Sequence, residues 1–110
     1  MYLIRRVWTV KRRETRKAAT IAADIGKAYE EAGQRSATTV YFNGGTLPGE
    51  KDRVYMQWTA EVIDSPYGRD DNPSIPAARE LGAKLRELTE GSWIEFYELM
   101  TPAKAQDYDT

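Results

Sequence analysis

The stretch TTVYFNGGTLPGEKDRVYMQWTAEV, residues 38–62, decides the fold. Thr38 to Asn43 and Arg53 to Val62 are each rich in β-branched and aromatic residues and predict two strands. Between them stand Gly44-Gly45 and Leu47-Pro48-Gly49-Glu50, turn chemistry with glycines able to take positive φ. The unit is a β-hairpin with a longer loop. Parity within each run assigns its faces. Val40 and Phe42, and Val54, Met56 and Trp58, form the apolar sides. Thr39, Tyr41 and Asn43, and Tyr55, Gln57 and Thr59, form the other sides.

Upstream, Tyr2 to Val10 predicts a first strand, followed by the basic run Lys11-Arg12-Arg13. Ala18, Ile21, Ala22, Ile25, Tyr29 and Ala32 recur at helical spacing, so a helix is expected from about Glu14 to Ala32, stopped by Gly33. Downstream, residues 64–76 are polar and carry three prolines, which predicts a loop. Ser74 is the expected N-cap and Pro76 the first turn of a second helix marked by Ala78, Leu81, Leu85 and Leu88 and ended by Gly91. Trp93 to Met100 is the fourth strand, and Pro102 stops it. Residues 1–102 form one α+β domain, with 103–110 as a polar tail.

The order βαββαβ with right-handed crossovers gives a four-stranded antiparallel sheet with both helices on one face and strand order 4-1-3-2. The other face is left open. Ile94 and Phe96 belong with the helices, and Trp93, Glu95 and Tyr97 with the open face. Strand one is ambiguous, because Leu3, Arg5 and Val7 alternate with Tyr2, Ile4, Arg6 and Trp8. Leu3 and Val7 suit a small core, which puts Arg6 and Trp8 on the open face. That face then joins Ile4, Arg6, Trp8, Tyr41, Asn43, Tyr55, Gln57, Glu95 and Tyr97. Aromatic rings with hydrogen-bonding tips resemble a pocket lining, and they serve equally well at a dimer interface. Arg6 and Glu95 are expected to pair across strands one and four. The long loop is either an ordinary connection or a lid over the cavity, with Tyr67 and Arg69 reaching in.

Composition narrows the chemistry. The 110 residues include no cysteine and no histidine. No thiolate nucleophile is available, and the commonest general base and zinc ligand are missing. No calcium-loop spacing, GxGxxG or P-loop is present, so neither a metal nor a cofactor is expected. A net charge of -1 argues against nucleic acid as a partner. The third strand also lacks the glycine-and-aromatic pattern of an RNA-binding sheet. No run approaches the ~20 apolar residues of a membrane span, and charges interrupt Met-Tyr-Leu-Ile-Arg-Arg before a signal-peptide core can develop. A cytoplasmic protein without membrane partners is the expectation.

Over residues 2–101 this layout resembles the dimeric α+β barrel superfamily, in which two ferredoxin-like sheets pair face to face. Residues 45–58, GTLPGEKDRVYMQW, look like the hairpin of NIPSNAP-type domains, where a glycine-containing turn leads to a strand ending in Trp. The aromatic-and-amide face is similar to that of cofactor-independent antibiotic-biosynthesis monooxygenases. The resemblance implies a homodimer whose cavity takes an aromatic or polyketide-like small molecule for cofactor-free oxygenation, cyclisation or isomerisation. Arg6, Asn43, Glu95 and Tyr97 would then be catalytic, and Trp8, Tyr41, Tyr55, Gln57, Tyr67 and Arg69 would bind substrate. The alternative is a non-catalytic ligand-binding or dimeric assembly module, in which the same face is only an interface.

Overall fold

In a computed structural model, residues 1–62 and 75–109 are described. The elements are β1 (Tyr2–Val10), α1 (Thr15–Glu31), β2 (Thr39–Asn43), β3 (Arg53–Ala60), α2 (Pro76–Leu88) and β4 (Thr89–Glu98), followed by a short 3-10 turn, Pro102–Lys104. The four strands form one antiparallel sheet in the order β2-β3-β1-β4, the expected arrangement. No helix among the described residues is long and apolar enough to cross a membrane.

The core lies between the sheet and the two helices. Val54 and Met56 from β3 are fully buried there, with Trp8 and Val10 from β1, Ala18, Ala22 and Ile25 from α1, and Leu85 from α2. Burying a side chain of this size contributes roughly 1.5–3 kcal/mol. The small residues of α1 let it settle close to the sheet. Gly26 lies so near Thr38 that any Cβ there would collide with the Thr38 hydroxyl. One turn on, the Glu30 carboxylate accepts hydrogen bonds from the Thr38 backbone N–H and from its Oγ1, the latter at 2.8 Å. The start of β2 is thereby pinned to the end of α1. Gly33, at φ 72, then terminates the helix in the left-handed region that favours glycine.

Three local expectations are corrected. The N-cap of α2 is Ile75, without a side-chain cap, and Pro76 occupies the first turn; Ser74 itself lies outside the described residues. Gly91 does not end α2. The helix stops at Leu88 and β4 begins at once at Thr89, with Gly91 inside the strand opposite Thr9. The strand can start early because Lys11 completes the helix end, its backbone N–H donating to the Leu88 carbonyl (2.9 Å) and its Nζ to that of Glu87 (2.9 Å). A cation there is also favoured by the helix dipole. β4 accordingly ends at Glu98 rather than Met100.

The largest correction concerns β1, whose faces are the reverse of those expected. Directly opposed residues of an antiparallel pair share a face. Arg6 is opposite Met56 and Ile94, and Trp8 is opposite Val54, so both point towards the helices. Arg5 is opposite Gln57 and Glu95, and Val7 is opposite Tyr55 and Trp93, so these occupy the open face. Trp8 and Val10 together fill the core volume that Leu3 and Val7 were expected to fill. Val7 is nevertheless 1% exposed, buried among the open-face aromatics.

Candidate functional site

The open face is organised around Glu95. Arg5 donates to its Oε1 from Nε at 2.8 Å and approaches the same oxygen through Nη2 at 2.7 Å. Tyr97 OH donates to Oε1 (2.6 Å) and Trp93 Nε1 to Oε2 (2.7 Å). The three flanking groups come from neighbouring positions on β1 and from i±2 positions on β4, which strand periodicity places on one face. The hydrogen bonds from Tyr97 and Trp93, reinforced by Arg5, hold the carboxyl down at about 2. The same contact with Glu95 raises the Tyr97 hydroxyl above its ordinary value. Burial opposes the charge on Arg5, but the hydrogen bonds to Glu95 and Tyr41 outweigh it and the net shift is upward.

Beside this cluster, Tyr41 and Tyr55 stack with ring centroids 5.0 Å apart, and Tyr41 OH donates to Gln57 Oε1 (2.8 Å). The Arg5 guanidinium lies over Tyr55, 5.0 Å from the ring centroid. The sheet therefore brings together Glu95, Tyr97, Tyr41, Tyr55 and Gln57 as expected, but the arginine among them is Arg5, not Arg6. The polar tips of Arg5, Tyr41, Gln57, Trp93, Glu95 and Tyr97 already have partners on the same face. Such a surface is a preorganised plate, and a carboxylate held fully ionised with both oxygens engaged is a poor proton acceptor.

Asn43 stands apart from this group. Its Nδ2 donates to the carbonyls of Leu47 (2.9 Å) and Pro48 (3.1 Å), and its Oδ1 accepts from Gly45 N–H (2.8 Å). All three bonds close the β2–β3 turn, so Asn43 serves the hairpin. Tyr67 and Arg69 lie outside the described residues.

On the opposite side of the sheet is a feature the sequence reading did not foresee. A cavity of about 510 Å³ lies between the sheet and α2. Trp8, Tyr29 and Trp58 contribute aromatic walls, and Arg6, Arg35, Arg79 and Arg86 bring positive charge. No acidic side chain lines it among the described residues. Arg6 donates from Nη2 to Ser92 Oγ (3.2 Å), and its buried Nε has no hydrogen-bond partner. Arg35 is clamped between two rings, 3.9 Å from the Tyr29 centroid and 4.0 Å from that of Trp58. Among the described residues its guanidinium donates only to the thioether of Met56 (3.4 Å). Burial lowers the Arg35 pKa to about 10, with Tyr29 opposing and the charge of Arg6 adding to the fall. The folded protein thus bears the cost of that buried charge at every pH below about 10.

Arg6 and Trp8 are therefore brought together, but in this cavity rather than on the open face. Arg35 carried no periodic signal because it sits in the connection after α1. Its one sequence cue is a lone cation two residues past the helix-stopping Gly33. Among the described residues no three acidic, histidine or cysteine side chains are grouped to hold a metal ion.

No protein-family model matches the chain, and no curated protein matches it either. Solved structures do match. An uncharacterized NIPSNAP domain protein from Burkholderia xenovorans is 15% identical, with a TM-score of 0.63 over 97% of this chain and 100% of that one. A dimeric protein of ferredoxin-like fold from Bacteroides fragilis is 16% identical, with a TM-score of 0.57 over 89% of this chain and 96% of its own. A conserved protein from Bacteroides thetaiotaomicron, described as a possible oxidoreductase, is 17% identical, with a TM-score of 0.56 and the same coverage. The chain has the ferredoxin-like α+β fold that NIPSNAP structures share.

Proposed function

We propose that this chain pairs with a second copy through its open sheet face and holds a small molecule in the cavity between the sheet and α2. The observation that carries this reading is the division of labour between the two faces. The open face presents the stacked Tyr41 and Tyr55 beside Trp93 and Tyr97, which donate to Glu95 and are still 44% and 45% exposed. Large aromatic residues with satisfied polar tips suit an interface. A like-folded neighbour is described as dimeric, which supports the pairing. The helix-side cavity instead holds Arg6, whose buried Nε has no partner, and Arg35, which donates to a thioether, as a binding site does. On this reading Glu95, Tyr97, Tyr41, Tyr55 and Gln57 serve the pairing face, and Arg6 and Trp8 serve the ligand.

Native mass spectrometry of the purified protein tests both halves. A dimer that carries a small molecule is the expected result. A monomer removes the pairing, and a chain that never retains a ligand under gentle ionisation removes the binding reading.

A catalytic reading has one observation in its favour. Two guanidinium groups in a partly aromatic, half-buried space can stabilise the negative charge of an enolate or phenolate. Cofactor-free oxygenation, cyclisation or isomerisation of an aromatic substrate would use that stabilisation, and one like-folded neighbour is described as a possible oxidoreductase. Loss of turnover of an identified substrate in Arg6→Ala, with binding retained, is the expected result. Turnover undiminished in that variant rules the catalytic role out.

A further inference from the structure

Four arginines, Arg6, Arg35, Arg79 and Arg86, line one cavity, and the surroundings of Arg6 and Arg35 demand an explanation. Guanidinium groups are always charged near neutral pH, and each carries five donors in a planar fork. When such groups are half-buried they normally meet carboxylates. Here neither does. Arg35 spends its faces on Tyr29 and Trp58 and one in-plane donor on a thioether, a weak acceptor. Arg6 spends one donor on the Ser92 hydroxyl and leaves its Nε buried and unmatched. An unmatched buried donor costs about 1–3 kcal/mol. The surrounding walls mix aromatic and apolar side chains with Arg79, Arg86, Thr89 and Ser92, and like charges facing one space repel. Arg6 and Arg35 each have unspent terminal donors, and an anionic acceptor between them would relieve the repulsion.

Building on the small-molecule reading of this cavity, we propose that its ligand is an organic acid, with a flat apolar body against Trp8 and Trp58 and a carboxylate gripped by Arg6 and Arg35. The fork geometry favours a carboxylate, which accepts two parallel N–H bonds from one guanidinium. The aromatic walls favour a ring system over a short aliphatic acid. The stacking of Arg35 between two rings fixes its plane before the ligand arrives, so little side-chain entropy is lost on binding.

Isothermal titration with 2-naphthoate and with its neutral counterpart 2-naphthamide tests the assignment. The acid is expected to bind at least about ten-fold more tightly than the amide. Arg6→Gln and Arg35→Gln are each expected to weaken the acid by a similar factor while leaving the amide unchanged, and Arg12→Gln, on the exposed turn after β1, is expected to change neither. Circular dichroism establishes that the variants fold, and Arg35→Lys, which retains charge without the fork, is expected to fall between wild type and Arg35→Gln. Equal binding of acid and amide overturns the organic-acid assignment while the small-molecule reading stands. Acid binding that survives both Gln variants places the acid elsewhere and overturns it too. No binding of either compound overturns both readings together.

Discussion

Arg5 and Glu95 face each other across β1 and β4, with Nε and Nη2 of the arginine 2.8 and 2.7 Å from one carboxylate oxygen. Tyr97 and Trp93 complete the coordination of Glu95, and the whole cluster stands on one face of the sheet. The folded-state value of Glu95, about 2, is below the ordinary 4.5 of an unfolded glutamate. The contribution of this carboxylate to stability is therefore fully present above the unfolded value and disappears as pH falls from about 4.5 towards about 2. Because the pair is partly exposed, solvent reduces its contribution to about 1 kcal/mol. Urea denaturation of wild type and Glu95→Gln is expected to show that gap at neutral pH and to show it shrinking as the solution is acidified through this window. A gap that is the same at both ends of the window would contradict the assignment.

Trp93 is the probe of the pairing face. It is half exposed and donates from Nε1 to Glu95. Trp93→Arg keeps a donor beside Glu95 but replaces an apolar ring with a charge that must be desolvated on pairing. Analytical ultracentrifugation is expected to find a dimer for wild type and a folded monomer for the variant. A variant that dimerises as tightly as wild type places the interface elsewhere.

Asn43 is a turn residue, and its substitution is a stability experiment. Asn43→Ala removes two donations to the Leu47 and Pro48 carbonyls and the acceptance from Gly45 N–H. Net values of about 0.5–1.5 kcal/mol for each of the three hydrogen bonds give an expected loss of about 1.5–4.5 kcal/mol. Asn43→Asp, which retains only the acceptor, is expected to lose a large part of the same amount. Ligand binding in the helix-side cavity is expected to be unaffected in the folded fraction, and a selective loss of binding would return Asn43 to the site.

Gly26 tests the contact between α1 and β2. A methyl group at this position collides with the Thr38 hydroxyl and stands 3.5 Å from the Met56 methyl group. In a helix interior alanine is favoured over glycine by about 1 kcal/mol. Overpacking costs about 1–3 kcal/mol, so the clash is expected to prevail and Gly26→Ala to lower the thermal midpoint. The double variant Gly26→Ala/Thr38→Ala relieves the collision and is expected to recover part of the loss. If the single variant is more stable than wild type, α1 stands further from β2 than the structure places it.

The sequence by itself determined the order of elements, the sheet topology and the facing of three strands. In β3, Val54, Met56 and Trp58 are apolar on one parity and Tyr55, Gln57 and Thr59 polar on the other, so a period of two leaves one choice. The same holds for Glu95 and Tyr97 against Ile94 and Phe96, which is why most of the open-face residues were legible before any coordinates. Strand one carries no such contrast. Leu3 and Val7 compete with Ile4 and Trp8, and adjacent arginines fill positions five and six. Only the tertiary structure could decide between them. The volume beneath the helices accommodates Trp8 and Val10, and a strand has a single register, so seating those two sends Arg5 to Glu95 and Arg6 to the cavity. Arg35 was hidden for a related reason. Its role depends on Tyr29 from a helix and Trp58 from a strand closing on it from either side, and no spacing along the chain encodes a contact made by three separate elements.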